Sequence, residues 1–142
     1  MIAIGCDHGA LELKEQLIEH LKKRGVECKD YGTYTMDSCD YPVYAKKVAE
    51  AILSGECEEG ILLCGTGIGM SMAANKIKGI RAALCSDCFS AQATKEHNNA
   101  NVLCMGARVI GPELAFRIAD TFLDSKFSND ERHIRRISML ED

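Results

Sequence analysis

The sequence contains no long apolar span, no basic leader segment and no lipidation signal. Met1 is followed at once by strand-like Ile2-Ala3-Ile4, so the expectation is a cytoplasmic protein with no membrane partner. Positive charge is also short: 17 Lys and Arg stand against 21 Asp and Glu, for a net charge of -4 and a pI near 5.6. A nucleic-acid backbone or an acidic lipid surface favours the opposite balance, which excludes both as expected partners. Internal repeats, low-complexity tracts and inter-domain linkers are missing as well. The 142 residues therefore read as one domain, 1–142, long enough to bury a core. Its 46% hydrophobic and 27% charged residues are those of an ordinary globule.

Cysteine is plentiful, with eight in all, yet Cys85-Ser86-Asp87-Cys88 stands alone, without a second ligand pair at zinc spacing. Cys6, Cys64, Cys85 and Cys104 each lie in or at the end of an apolar strand, where a free thiol packs as a small hydrophobe. Packing is preferred to a disulfide framework, and neither a metal nor a cofactor is expected.

The stretch around which the chain is organised is Gly60-Ile-Leu-Leu-Cys-Gly-Thr-Gly-Ile-Gly-Met. Ile61, Leu62 and Leu63 form a short apolar run suited to a buried parallel strand. Gly65-Thr66-Gly67-Ile68-Gly69 turns the chain, and a helix begins at about Met70. Strand, glycine turn and helix aim backbone N–H groups and a positive helix end at one point, which suits an anion. Cys64 sits where strand meets turn, in a setting that favours thiolate. The bland alternative is a common α/β turn with a core cysteine.

Either side of this stretch the same pattern repeats. Met1–Asp7 predicts a strand, and Ala10, Leu13, Leu17 and Leu21 a helix that closes at Arg24-Gly25. Val26–Tyr31 reads as a second strand, and Pro42 as the first turn of a helix reaching Leu53, with Tyr44, Val48 and Ile52 on one face. Ile80–Cys85 is a fourth strand. Asp87 caps a helix ending near His97. Val102–Met105 is a fifth strand, and Gly111-Pro112 opens a helix striped by Leu114, Ala115, Ile118, Ala119, Phe122 and Leu123. A last, basic helix carries Arg132, Arg135 and Arg136. The fold expected is α/β: a Rossmann-like, doubly wound sheet of about five parallel strands with helices on both faces. Ligands then bind outside the carboxyl ends of the strands, where Asp7-His8 and Cys64–Gly69 fall.

Two familiar phosphate loops do not fit. A Walker loop needs Lys and Ser/Thr after its last glycine, where Met70-Ser71 stands; the dinucleotide fingerprint needs its third glycine one place later than Gly69. Arg132 and Arg136, one helical turn apart, share a face and can clamp a phosphate, with Arg108 as a candidate to join them. Taken alone, that face is a solvated basic surface, His97 a helix-end cation, and Asp7 a helix cap.

Together, Gly5-Cys6-Asp7-His8-Gly9, Asp40-Tyr41-Pro42, Cys64-Gly65-Thr66-Gly67-Ile68-Gly69, His97-Asn98, Gly106-Ala107-Arg108 and Arg132-His133-Ile134-Arg135-Arg136 resemble the sugar-phosphate isomerase family that includes ribose-5-phosphate and galactose-6-phosphate isomerases. The resemblance covers nearly the whole chain. It implies a metal-free aldose–ketose interconversion through an enediolate, on ribose 5-phosphate or on another phosphosugar such as allose 6-phosphate, galactose 6-phosphate or a tetrulose phosphate. It makes Cys64 the carbon-acid base and His97 the ring-opening group, with Thr66 and Asp7 beside them. It puts Asp7, His8, Tyr41, Gly65, Thr66, Gly67, Ile68, Gly69, Asn98, Arg108, Arg132 and Arg136 on the substrate. Relatives without this cysteine use Glu at the place of Met70, so the chain resembles the cysteine branch. Asp130-Glu131 departs from the glycines expected before Arg132. The contrasting expectation is a non-catalytic phosphate- or nucleotide-binding module using the same turn. His97 precedes strand five, at the amino edge of the sheet, while Cys64 ends strand three at the carboxyl edge. A homodimer with composite sites, or a dimer of dimers, is therefore expected.

Overall fold

The computed structural model describes residues 1–142. Its sheet has the order β2-β1-β3-β5-β4, with every pair parallel. The central strands β1 (Ile2–Cys6), β3 (Glu59–Cys64) and β5 (Val102–Gly106) are buried on both faces apart from Glu59. That is why their sequences are apolar without alternation. The edge strands β2 (Cys28–Asp30) and β4 (Ala82–Leu84) are three residues each, shorter than the strands expected over Val26–Tyr31 and Ile80–Cys85. The residues on either side still bond to the central strands, Tyr31 N to the Ile4 carbonyl at 2.8 Å and Cys85 N to the Cys104 carbonyl at 3.0 Å, so pairing tapers off beyond the regular ladder.

The helices are α1 (Leu11–Lys23), α2 (Tyr41–Leu53), α3 (Ile68–Asn75), α4 (Cys88–Asn98), α5 (Pro112–Asp124) and α6 (Glu131–Leu140). Parallel crossovers are right-handed, so each reversal of direction across the sheet changes the face the helix covers. Steps from β1 to β2 and from β4 to β5 put α1 and α4 on one face, where α5 joins them over Ile4, Ile61, Leu63 and Leu103. Steps in the other sense put α2 and α3 on the opposite face, over Leu62, Val102 and Cys104. The chain leaves β1 and β3 in opposite directions, which opens a crevice between their carboxyl ends.

Cap and stripe follow the sequence in most places. Asp87 accepts from Ser90 N at 2.7 Å and starts α4, and Ala115, Ile118, Ala119 and Phe122 form the buried side of α5. Leu114 lies outside that stripe, exposed. On α2 the buried side is Ala45, Val48, Ala49 and Ala51, with Tyr44 and Ile52 at its margin. All eight cysteines are free thiols, and Cys6, Cys64, Cys85 and Cys104 are buried. Burial pushes the Cys6 thiol up to about 12 and Cys85 to about 11.

Two lysines are buried where the helical pattern alone suggests solvent. Lys14, 1% exposed, points from α1 to the carboxyl ends of β1 and β2. Its ammonium donates to Asp30 Oδ1 at 2.6 Å and to the Thr33 carbonyl at 2.5 Å. Lys95 on α4 pairs with Glu59 at the start of β3 and donates to the Phe122 carbonyl at 3.0 Å. Burial raises the Glu59 carboxyl above its usual range in spite of Lys95. A buried charge stripped of its partner costs more than a pair removed from its charged end. Asp30→Ala, which strands the Lys14 ammonium, should cost about 3–5 kcal/mol in urea unfolding. Lys14→Met should cost about 1–3 kcal/mol, because Asp30 keeps water and the Gly32 N–H while the Thr33 carbonyl loses a donor. The reverse ranking would contradict this assignment of the pair.

Candidate active site

β3 delivers Cys64 to the crevice, 5% exposed, and its Sγ accepts a hydrogen bond from Gly67 N at 3.1 Å. Gly67 turns the chain with φ +80° and caps α3. A side chain there would be strained and would meet the Met105 backbone at 2.8 Å. Ile68 N donates to Thr66 Oγ1 at 3.2 Å. The N–H groups of Gly65, Thr66 and Gly69 find no acceptor within the chain, which leaves three donors beside the thiol for an anion.

The end of β5 locks this turn in place. A Cβ on Gly106 would lie 2.5 Å from the Thr66 carbonyl, so only glycine lets the strand approach. Ala107 N donates to the Cys64 carbonyl and Arg108 N to the Gly65 carbonyl, both at 2.9 Å. The Arg108 side chain folds back over Gly65, its Nη1 3.5 Å from where a Cβ would stand, and reaches towards Gly9. No carboxylate pairs with it. Asp7 follows β1, is nearly buried, and accepts from Gly9 N at 2.9 Å. The Tyr41 ring covers Gly69, 2.8 Å from where a Cβ would sit.

His8 adds a donor whose orientation is defined. Its Nδ1 lies 3.3 Å from Cys39 N, and a backbone N–H can only donate. The neutral ring therefore carries its proton on Nε2. Asp7, His8, Tyr41, Cys64, Gly65, Thr66, Gly67, Ile68, Gly69 and Arg108 thus gather at one edge of the sheet, where the sequence places Asp7-His8 and Cys64–Gly69. Charge makes Arg108 a candidate to join Arg132 and Arg136; within one chain Arg108 follows β5 and the other two lie at the far edge.

That far edge holds the remainder. His97 and Asn98 end α4, just ahead of β5. The His97 ring packs on His133 of α6, with centroids 4.7 Å apart. His133, part of the Arg132–Arg136 motif but without a role expected from it, is buried and lies 3.0 Å from Ser128 Oγ through Nδ1. Burial, and then the charges of Arg132 and His97, hold it below the usual imidazole range. Arg132 and Arg136 are exposed on α6. Asp130, the departure noted in the sequence, caps that helix through Arg132 N at 3.1 Å and approaches Arg132 Nε at 3.6 Å. It stiffens the start of α6 and sets a negative charge beside the clamp. Along the five residues of β5 the two edges are roughly 16 Å apart. One chain does not bring the two groups together.

A sequence model described as Ribose/Galactose Isomerase matches residues 2–140. Ribose-5-phosphate isomerase B of Escherichia coli (strain K12) is 48% identical over 139 residues, spanning 98% of this chain and 93% of the relative. D-erythrulose-4-phosphate isomerase of Pectobacterium atrosepticum is 49% identical over 127 residues, 89% of this chain and 84% of the relative. The crystal structure of a ribose 5-phosphate isomerase from Thermotoga maritima is similar with a TM-score of 0.96 at 54% identity, over 99% of this chain and 96% of that one. Matched in sequence and fold from end to end, the chain belongs to the ribose/galactose isomerase family and is an isomerase.

Proposed function

We propose that the chain interconverts D-ribose 5-phosphate and D-ribulose 5-phosphate, an aldose–ketose step of the pentose phosphate pathway, as one domain spanning 1–142 in the cytoplasm. The observation that carries this is the Cys64 thiol held by Gly67 N beside three unused N–H donors. Proton abstraction next to a carbonyl needs a base and a place for the negative charge that develops. Cys64 Sγ, as thiolate, takes the proton from C2 of the open aldose. The C2–H electron pair forms the enediol double bond, and the carbonyl electrons move to O1, which the turn N–H groups hold. Return of the proton to C1 and transfer of the O2 proton to O1 give the ketose.

Ring opening comes first and needs a proton moved between the ring oxygen and the anomeric hydroxyl, the task given to His97 with Asn98. Arg132 and Arg136 hold the phosphate, remote from the reacting carbons, so orientation is set before chemistry. Asp7, His8, Tyr41 and Arg108 hold the sugar hydroxyls. Because His97 and Arg132 lie at the opposite edge from Cys64, they reach the sugar from a second copy of the chain, in a two-fold dimer with two composite sites. Uncovered apolar side chains support this: Leu84 touches the turn at Gly67, and Phe89 beyond it is 79% exposed, as a surface awaiting a second copy would be. Two such dimers can pair further.

A second reading keeps the chemistry and changes the sugar. The Pectobacterium relative, named for erythrulose 4-phosphate, matches the Escherichia coli one in identity, 49% against 48%, though over 127 residues rather than 139, so a tetrulose phosphate competes with the pentose; allose 6-phosphate and galactose 6-phosphate follow. Assay of a phosphosugar panel separates these, with ribose 5-phosphate expected to have the highest kcat/KM. Cys64→Ser should lose turnover by several orders of magnitude while substrate binding stays within a few-fold, because the alcohol is too weak an acid to rest as the base. Arg132→Ala and Arg136→Ala should each lower kcat/KM by about 1.5–3 kcal/mol, mainly through KM. Near-native turnover in Cys64→Ser, or equal turnover of free ribose, would overturn the assignment; full ligand binding without turnover in the unaltered protein would favour the non-catalytic module.

A further inference from the structure

Arg81 lies one residue ahead of β4, half-buried, and belongs to neither group of site residues. Its Nε donates to the carbonyls of Asn98 at 3.2 Å and Asn99 at 3.1 Å, and its Nη2 to Asn99 at 2.9 Å. These are carbonyls that the end of α4 leaves without an intrahelical donor. Asn99, with φ +46°, terminates that helix directly after His97-Asn98. The third nitrogen, Nη1, donates to Glu141 Oε1 at 2.8 Å.

Glu141 is the residue that ends α6, and its second oxygen accepts from Gly79 N at 3.1 Å. The hydrogen bond from Arg81, then that from Gly79 N, holds its carboxyl below the usual range. Arg81 is itself immobile, because Asn101 grips its backbone: Arg81 N donates to Asn101 Oδ1 at 2.8 Å and Asn101 N to the Arg81 carbonyl at 3.0 Å. One guanidinium therefore joins the end of the helix that bears His97 to the far end of the helix that bears Arg132 and Arg136. Few other ties hold α6. Ser128 N donates to the Glu96 carbonyl at 3.1 Å, His133 meets His97, and Ile134, Met139 and Leu140 stay exposed. A cavity of about 590 Å³ under the tie, lined in part by Lys76, Lys78 and Asn98, leaves room for α6 to shift once the tie is cut.

We propose that Arg81, through Glu141, is a positioning residue that sets the spacing between His97 and the Arg132–Arg136 pair. It fixes the distance between the ring oxygen and the phosphate of a bound phosphosugar. The proposal rests on the roles given above to His97 and the arginines. The two partners lie 60 residues apart in the chain, so no local pattern reveals the tie.

The test compares Arg81→Ala and Glu141→Ala with the unaltered enzyme by amide exchange and by kinetics on ribose 5-phosphate. In both variants exchange at residues 131–140 should accelerate about tenfold, the size of a lost charge-assisted hydrogen bond. KM should rise about tenfold with kcat less affected, and alkylation of Cys64, at the other edge, should keep its rate. Free guanidinium should restore part of the KM of Arg81→Ala, which a global loss of stability would not allow. If Arg81→Ala fails to fold, Glu141→Ala, altered only at the surface end of the tie, decides alone. Unchanged exchange in α6, or unchanged KM with faster exchange, would overturn the proposal. If the unaltered enzyme turned over no phosphosugar, the proposed function would fall, and the exchange measurement alone would decide whether the tie holds α6.

Discussion

All strands of the sheet run the same way, and that polarity governs everything else in the molecule. Each strand-to-helix turn opens on one edge and each helix-to-strand return on the other. Asp7 follows β1 and Cys64 ends β3, so they share an edge with Arg108. His97 and Asn98 precede β5, so they cannot join them within one chain. Right-handed crossovers then decide where on the first edge the crevice falls, between β1 and β3, where the chain departs in opposite directions. On the function proposed above, which needs both groups on one sugar, this topology calls for a second copy of the chain.

Each edge carries its own fastening. At the carboxyl edge, Lys14 ties Asp30 and Thr33 to α1 behind Asp7-His8, while Gly106 lets β5 press on the turn beside Cys64. At the amino edge, Lys95 ties α4 to Glu59 and to the Phe122 carbonyl, and Arg81 ties α4 to the end of α6. Buried cations are costly unless fully bonded. Lys14 and Lys95 make hydrogen bonds to one carboxylate and one backbone carbonyl each, so desolvation is offset by bonds that also fix geometry next to the site.

Much of this can be read from the residues in order. Periodicity locates α1 and α5, Asp87 marks the start of α4, and Gly65-Thr66-Gly67 after an apolar run marks the turn. What escapes a reading along the chain is whatever depends on a partner far away in it. Lys14 looks like a solvated helix residue because Asp30, its partner, belongs to another element. Arg81 looks like an ordinary polar residue near the start of a strand over Ile80–Cys85 until Glu141 is brought to it. Charge alone groups Arg108 with Arg132 and Arg136, and strand order puts them at opposite edges of one chain. The stretches Val26–Tyr31 and Ile80–Cys85 run past β2 and β4, because their outer residues bond to the central strands without extending the regular ladder.

The central claim is that Cys64 of one copy and His97 of another act on the same sugar. Joint unfolding and refolding of Cys64→Ala and His97→Ala proteins, each nearly inactive alone, tests it most directly. Random pairing makes half of the dimers mixed, and each mixed dimer holds one intact and one doubly damaged site. Activity should therefore approach about a quarter of the unaltered enzyme under two-fold symmetry. Mixed dimers demonstrated by native mass spectrometry, yet without recovered activity, would contradict the composite site.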